Sequence, residues 1–242
     1  MLKRAYVCVV RGVRTFALAT GILAALERRS GNSQAIRWLR SLFAIYDIED
    51  MARLDLPWWT FAAIDEAERF LRCRRSPRVF EYGSGASTIW LARRAGSVKS
   101  IEHDRSWHAA ISKRIEALPN AEVRLVEPDP DAVAGYVSKR EGWVGKSFQR
   151  YASAIDDEPG EFDLIVIDGR ARPACLAHAV KKLAPDGVIL FDNSGRRRYR
   201  QALTKSGLQR RIYRGAAACL PYPDETSILG KAAVNSGQAL AA

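Results

Sequence analysis

The chain has no CxxC pair, no HExxH or HxxxH spacing, and no uncharged run long enough to cross a bilayer. Its four cysteines, Cys8, Cys73, Cys175 and Cys219, are scattered. That argues against a zinc site or a disulfide framework, and reads as reduced thiols in a cytoplasmic setting. His103, His108 and His178 lack the spacing of a zinc hydrolase. Acidic charge is in deficit, with 27 Asp and Glu against 38 Lys and Arg and a net charge of +11. Basic clusters stand at Arg74-Arg75, Arg196-Arg197-Arg198 and Arg210-Arg211. No nucleic-acid-binding motif accompanies them, so a solvated basic surface is expected rather than a nucleic-acid partner.

The most apolar stretch, 5–26, is interrupted by Arg11 and Arg14. Each arginine at mid-membrane costs about 2.5–3.5 kcal/mol on insertion scales, so a spanning helix is not expected. A secretory signal fits poorly, because 5–10 is a short apolar core with no convincing cleavage site after it. On a helix, Arg4, Arg11 and Arg14 fall near one side. Residues 1–28 therefore carry two readings. One is an amphipathic helix on an anionic membrane, at its inner face. The other is a helix packed on the domain or on a second subunit, as in a homodimer.

The stretch Glu81-Tyr82-Gly83-Ser84-Gly85-Ala86-Ser87 ends an apolar run in an acid and a glycine turn. Glycine lets backbone approach a ligand closely. A second acid, Glu102, ends the next apolar run. From residue 78 onward, strand-length runs at 79–82, 98–102, 123–126, 162–167 and 188–191 alternate with helical patterns at 88–95, 106–118, 173–183 and 197–206. Two late strands are expected at 209–213 and 226–229. Such alternation implies an α/β fold with a mostly parallel sheet and helices on both faces. Ahead of it, 1–55 reads as a helical extension, with helices at 6–28 and 33–46. A further helix is expected at 60–72, with Pro57 at its start. Segment 127–161 breaks the rhythm and reads as an insertion, a substrate lid with a helix of its own.

The loop lacks the third glycine of a dinucleotide site, since Thr88 stands in its place. The acid before the first glycine suits a ligand with a cationic amino group. The segment resembles motif I of class I S-adenosylmethionine (SAM)-dependent methyltransferases. The resemblance continues at Ser100-Ile101-Glu102-His103-Asp104, at 162–169, and at 183–193, ending in Asp192-Asn193. It covers about residues 57–230 and implies a Rossmann-like seven-stranded sheet in a SAM-binding domain over 56–242. By that resemblance Gly83 and Gly85, with Ser84 and Ser87 in the same loop, lie at the methionine part. Glu81 holds the amino group directly or through water, Glu102 binds the ribose, and His103 lies near the adenine. The adenine-binding acid is one of Glu127, Asp129 and Asp131.

Catalytic groups are expected at the ends of the fourth and fifth strands, at Asp168, Asp192 and Asn193. These three are also similar by position to the Mg²⁺ ligands of metal-dependent O-methyltransferases, which makes Mg²⁺ a second cofactor to test. The expected acceptor is a small molecule, glycan or lipid-linked group, methylated at oxygen. Two alternatives are carried forward. One is a non-catalytic SAM- or nucleoside-binding scaffold. The other is a glycosyltransferase, for which Asp129-Pro130-Asp131 mimics a DxD motif.

Overall fold

A computed structural model describes residues 2–30, 33–45, 47–138 and 142–231. Its strands are β1 (Arg78–Tyr82), β2 (Ser97–Glu102), β3 (Ala121–Leu125), β4 (Phe162–Ile167), β5 (Leu183–Phe191), β6 (Gln209–Gly215) and β7 (Asp224–Gly230). They form one seven-stranded sheet in the order β3-β2-β1-β4-β5-β7-β6. β1 to β5 run parallel, and β7 is antiparallel to both its neighbours. This is the mostly parallel α/β sheet that the alternation implies, with the seven strands of the Rossmann-like fold that the resemblance implies.

The strands read as nearly continuous apolar runs because both faces are covered. Alternate side chains go to opposite sides. Val79, Leu164, Val166, Val188 and Leu190 enter one cluster with Trp59, Ile64 and Trp90. Phe80, Tyr82, Ile165, Ile167, Ile189 and Phe191 enter the other with Tyr151 and Leu176.

The helices are α1 (Leu2–Ala19), α2 (Ile22–Ser30), α3 (Gln34–Leu42), α4 (Ile48–Arg53), α5 (Phe61–Arg72), α6 (Ala86–Ala92), α7 (Arg105–Ile115), α8 (Gln149–Ser153), α9 (Arg172–Ala179) and α10 (Arg200–Lys205). The single helix expected at 6–28 is broken at Gly21, which takes the left-handed φ of +74° common just past a helix end. α4 was not legible as a separate helix. It starts where Asp47 accepts from the Asp50 N–H at 2.9 Å, an N-cap. α5 begins at Phe61, four residues after Pro57. The intervening backbone is fastened elsewhere: Thr60 bridges to Ala217, and the Phe61 N–H donates to the Ala216 carbonyl at 3.0 Å. The helix expected at 173–183 is α-helical to Ala179 and closes in a 3₁₀ turn over Val180–Lys182, because Leu183 already pairs with Phe162 in the sheet.

The N-terminal segment shares a core with the sheet, since Ala44, Ile45 and Met51 lie in the cluster that contains Val79. Arg40, only 1% exposed, makes a two-pronged contact with Asp50 at 2.7 and 3.0 Å. Arg14 lies 2.6 Å from Asp47 and 3.4 Å from Asp50. Arg14 is thereby paired with acids at the start of α4. The side chains of Arg4 and Arg11 lie outside the described part. Among the described residues, no helix is long and apolar enough to cross a membrane.

Candidate functional site

The loop after β1 fits against the loop after β4. Gly83 has φ +97°, and a Cβ there would stand 3.0 Å from the Gly169 Cα and N. The Gly83 N–H donates to Ile101 O at 2.9 Å, and the Asp168 N–H donates to Tyr82 O at 3.0 Å. These bonds bring the ends of β1, β2 and β4 together. A cavity of about 790 Å³ opens over them, within the range of small-molecule sites. Gly83, Ser84, Ser87, Glu102 and His103 line one part of it, and Asp168, Asp192 and Asn193 another. Topology places this beyond the carboxyl ends of the parallel strands, where open α/β sheets bind ligands.

Glu81 is fully buried and does not line this cavity. Its carboxylate accepts from the hydroxyls of Ser87, Thr88 at 2.6 Å and Ser100 at 2.5 Å. Burial pushes its carboxyl up to about 7, against the pull of those hydroxyls. Of the two ways expected for Glu81 to hold an amino group, directly or through water, its burial behind the hydroxyls leaves no direct face on the cavity. Ser87, which does line the cavity, connects it to Glu81. Gly85 is not in the lining either. Its N–H donates to Thr88 Oγ1 at 3.0 Å, which tightens the turn into α6.

Glu102 is 3% exposed and organises the loops around it. One oxygen accepts from the Ser84 N–H and hydroxyl, both at 3.1 Å. The other accepts from the N–H groups of His103 at 2.7 Å and Asp104 at 2.9 Å. Burial works against the charge. The His103 side chain and the N–H groups of Asp104 and Ser84 outweigh it, and hold the carboxyl below the usual carboxylate range. His103 Nδ1 lies 2.6 Å from the same carboxylate. Its Nε2 accepts from Arg170 Nε at 2.9 Å, which assigns the ring proton to Nδ1. The ring meets Trp143 edge-on at 4.6 Å between centroids, so the 127–161 insertion forms a wall of the site.

The candidate adenine acids separate. Asp129 is spent on the insertion, where it accepts from Ser147 Oγ at 3.2 Å, the Gln149 N–H and Arg150 Nε at 2.7 Å. That also removes the DxD reading, because the motif's first acid is a loop brace. Glu127 pairs with Arg105 at 2.6 Å and lines a second cavity shared with His103 and Trp143. Asp131 is exposed and lines neither cavity.

Asp168 and Asp192 are brought together, and Arg172 lies between them. Arg172 Nη2 is 2.6 Å from Asp168 Oδ1, and Nη1 is 3.6 Å from Asp192 Oδ2. Arg172 also donates to the backbone carbonyls of Asp168 at 2.7 Å and of Asp192. Asp192 Oδ1 accepts from Thr226 Oγ1 at 2.9 Å. Burial pushes both carboxyls up. For Asp192 the neighbouring Asp168 charge adds to this, while Arg172 opposes it for both. Asn193 takes a φ of +51° and turns its amide to Asp224 at 2.8 Å.

This arrangement does not fit Mg²⁺ at Asp168, Asp192 and Asn193. The Arg172 guanidinium already lies between the two acids, and the Asn193 amide nitrogen is turned to Asp224. Among the described residues no group of three His, Cys, Asp or Glu side chains is placed to hold a metal. The SAM site does fit, since the lining offers an acid at Glu102, backbone at a glycine turn and an aromatic wall at Trp143. Arg172 and Trp107 were not singled out by sequence. Trp107 Nε1 donates to Ser84 O at 2.8 Å and braces the glycine loop. No local pattern signals the arginine, because Asp168 lies in the loop after β4 and Arg172 is the first residue of α9.

Residues 80–194 match a family model described as a methyltransferase domain. Similar solved structures include a precorrin-6y C5,15-methyltransferase from Geobacter metallireducens GS-15. It has 11% identity, covers 69% of this chain and 87% of that one, and has a TM-score of 0.50. A methyltransferase-like protein from Silicibacter pomeroyi DSS-3 has 23% identity over 73% and 90% of the two chains, with a TM-score of 0.46. An rRNA methylase from Streptococcus thermophilus has 12% identity over 69% and 95%, with a TM-score of 0.49. No curated protein matches the chain.

Proposed function

We propose, for a chain that carries a class I SAM-dependent methyltransferase domain, that the acceptor is a small molecule methylated at oxygen. The observation that supports this is the pair Asp168 and Asp192 on Arg172, facing the cavity beyond β4 and β5.

When bound, SAM supplies a methyl carbon already activated by its sulfonium. The residues that would hold it are Gly83, Ser84, Ser87, Glu102 and His103, with Trp143 beside them. The chain's own task is to orient an acceptor oxygen and take its proton. Asp168 is the candidate base, being the more exposed of the two acids, with a side chain 27% accessible against 5% for Asp192. Burial raises its proton affinity, which suits a group that must take a proton near neutral pH. Arg172 orients the carboxylate and limits the rise. Asp192 is a positioning residue, fixed by Arg172 and Thr226.

The test is S-adenosylhomocysteine (SAH) formation against matched hydroxyl and amine acceptors. Asp168→Asn should lower kcat by about 10²–10⁴, the usual contribution of a general base, with SAH affinity unchanged. Transfer to amines only, or full activity in Asp168→Asn, would contradict the oxygen reading.

A further inference from the structure

The segment after β5 carries Arg196, Arg197, Arg198 and Arg200, but only Arg196 and Arg198 line the cavity. Both side chains are exposed, and among the described residues neither has a carboxylate within ion-pair distance. Arg198 is held in place: its guanidinium packs 4.8 Å from the Tyr199 ring centroid, and Nη2 donates to Tyr199 Oη at 2.9 Å. Tyr199 is itself fixed against Phe191 at 5.2 Å. Arg196 sits close enough to Asp168 for its charge to be felt there.

The acids at this end of the cavity are already engaged. Asp168 and Asp192 share Arg172, and Asp224 accepts from Asn193 at 2.8 Å and the Glu225 N–H at 2.7 Å. The arginines are left facing the space where an acceptor would lie. Trp58, Leu220 and Tyr222 add an apolar wall to the same space. A guanidinium fork matches a carboxylate or phosphate in geometry and charge.

We propose that Arg196 and Arg198 form an anion subsite, and that the methyl acceptor is a small molecule with an apolar body and a carboxylate or phosphate. This rests on the methyltransferase reading of the cavity. A small anion is favoured over a polynucleotide because the two arginines share the lining of one cavity of small-molecule size, about 790 Å³, with the apolar wall of Trp58, Leu220 and Tyr222.

The test is a calorimetric titration of the full chain, with and without saturating SAH. The probes are benzoate, phenyl phosphate and the neutral phenol. Wild type should bind one or both anions at least 10-fold more tightly than phenol, and the preferred anion tells carboxylate from phosphate. Arg196→Ala/Arg198→Ala should lose that preference and Arg196→Lys/Arg198→Lys should keep part of it. Arg197→Ala/Arg200→Ala, which removes the same charge outside the cavity, should keep all of it. Equal binding of phenol would overturn the proposal, as would equal loss in the Arg197/Arg200 variant. So would competition by a single-stranded oligonucleotide where phenyl phosphate has no effect. Failure of wild type to bind SAH would instead sink the methyltransferase reading, and the titration without SAH still decides the arginine pair.

Discussion

Glu81→Gln should make the folded chain more stable at neutral pH, although it alters the acid at the head of the glycine loop. The carboxyl is fully buried and held by hydroxyls alone. Burial moves it from the ordinary 4.5 to about 7. In the unfolded chain it ionises near 4.5, so between the two values the folded state binds more protons. Stability must then fall as pH rises through that window, and level off above about 7. At about 1.4 kcal/mol per pH unit, the cost accumulates to about 3 kcal/mol. Glutamine keeps one carbonyl acceptor and carries no charge, and the serine and threonine hydroxyls can turn to accept from its amide. Urea unfolding of both proteins at pH 5, 6, 7 and 8 reads the difference directly. The variant's advantage should grow with pH by about 3 kcal/mol in all, on top of a constant offset from rearranged hydrogen bonds. A pH-independent difference would refute the reasoning. So would a wild type that gains stability with pH relative to the variant, because that would place the folded carboxyl below 4.5.

Gly169→Ala should disrupt the site from beneath. A Cβ there would stand 1.9 Å from Tyr151 Oη and 3.0 Å from Tyr82 O. Tyr151 is fully buried, so the clash should cost about 1–3 kcal/mol by thermal melt and weaken SAH binding as well. Asp50→Asn should cost about 3 kcal/mol in urea unfolding, because it removes the two-pronged carboxylate from buried Arg40 and leaves Glu27, 3.5 Å away and half-buried, as its counter-charge. Arg40 and Arg53 hold the Asp50 carboxyl below its ordinary value despite burial. The loss should therefore be full at neutral pH, begin to shrink as pH falls below about 4, where the unfolded acid takes up its proton, and vanish only at the lower pH where the folded acid protonates too.

The sheet was legible because each parallel strand is covered on both faces and reads as an apolar run that stops at a turn. The order of the acids was legible for the same reason, each lying at a strand end. Helix limits were less so, since they depend on distant partners. Phe61 starts α5 because Ala216 accepts from its N–H, 155 positions away. The insertion was legible as a segment with a helix of its own, but the path of its loops was not. Its shape follows from Asp129 collecting donors near residue 149, and nothing about Asp129 alone signals that. Asp168, Asp192 and Asn193 resemble a metal-binding trio in sequence position alone. The difference is Arg172, whose burial between the acids is a property of the folded packing. Glu81 likewise stands at the expected place but points at hydroxyls. Its neighbour Ser87 is the one that meets the cavity.

The loops around Gly83 and Glu102 are proposed to bind SAM. Calorimetric titration of the full chain with SAH tests it most directly, with Glu102→Gln as the comparison. An amide at 102 has one acceptor oxygen to serve N–H donors from Ser84, His103 and Asp104, and leaves buried donors unmet at about 1–3 kcal/mol. The account predicts one SAH per chain for wild type and at least 10-fold weaker binding for the variant. No binding to wild type, or equal binding by both proteins, would contradict it.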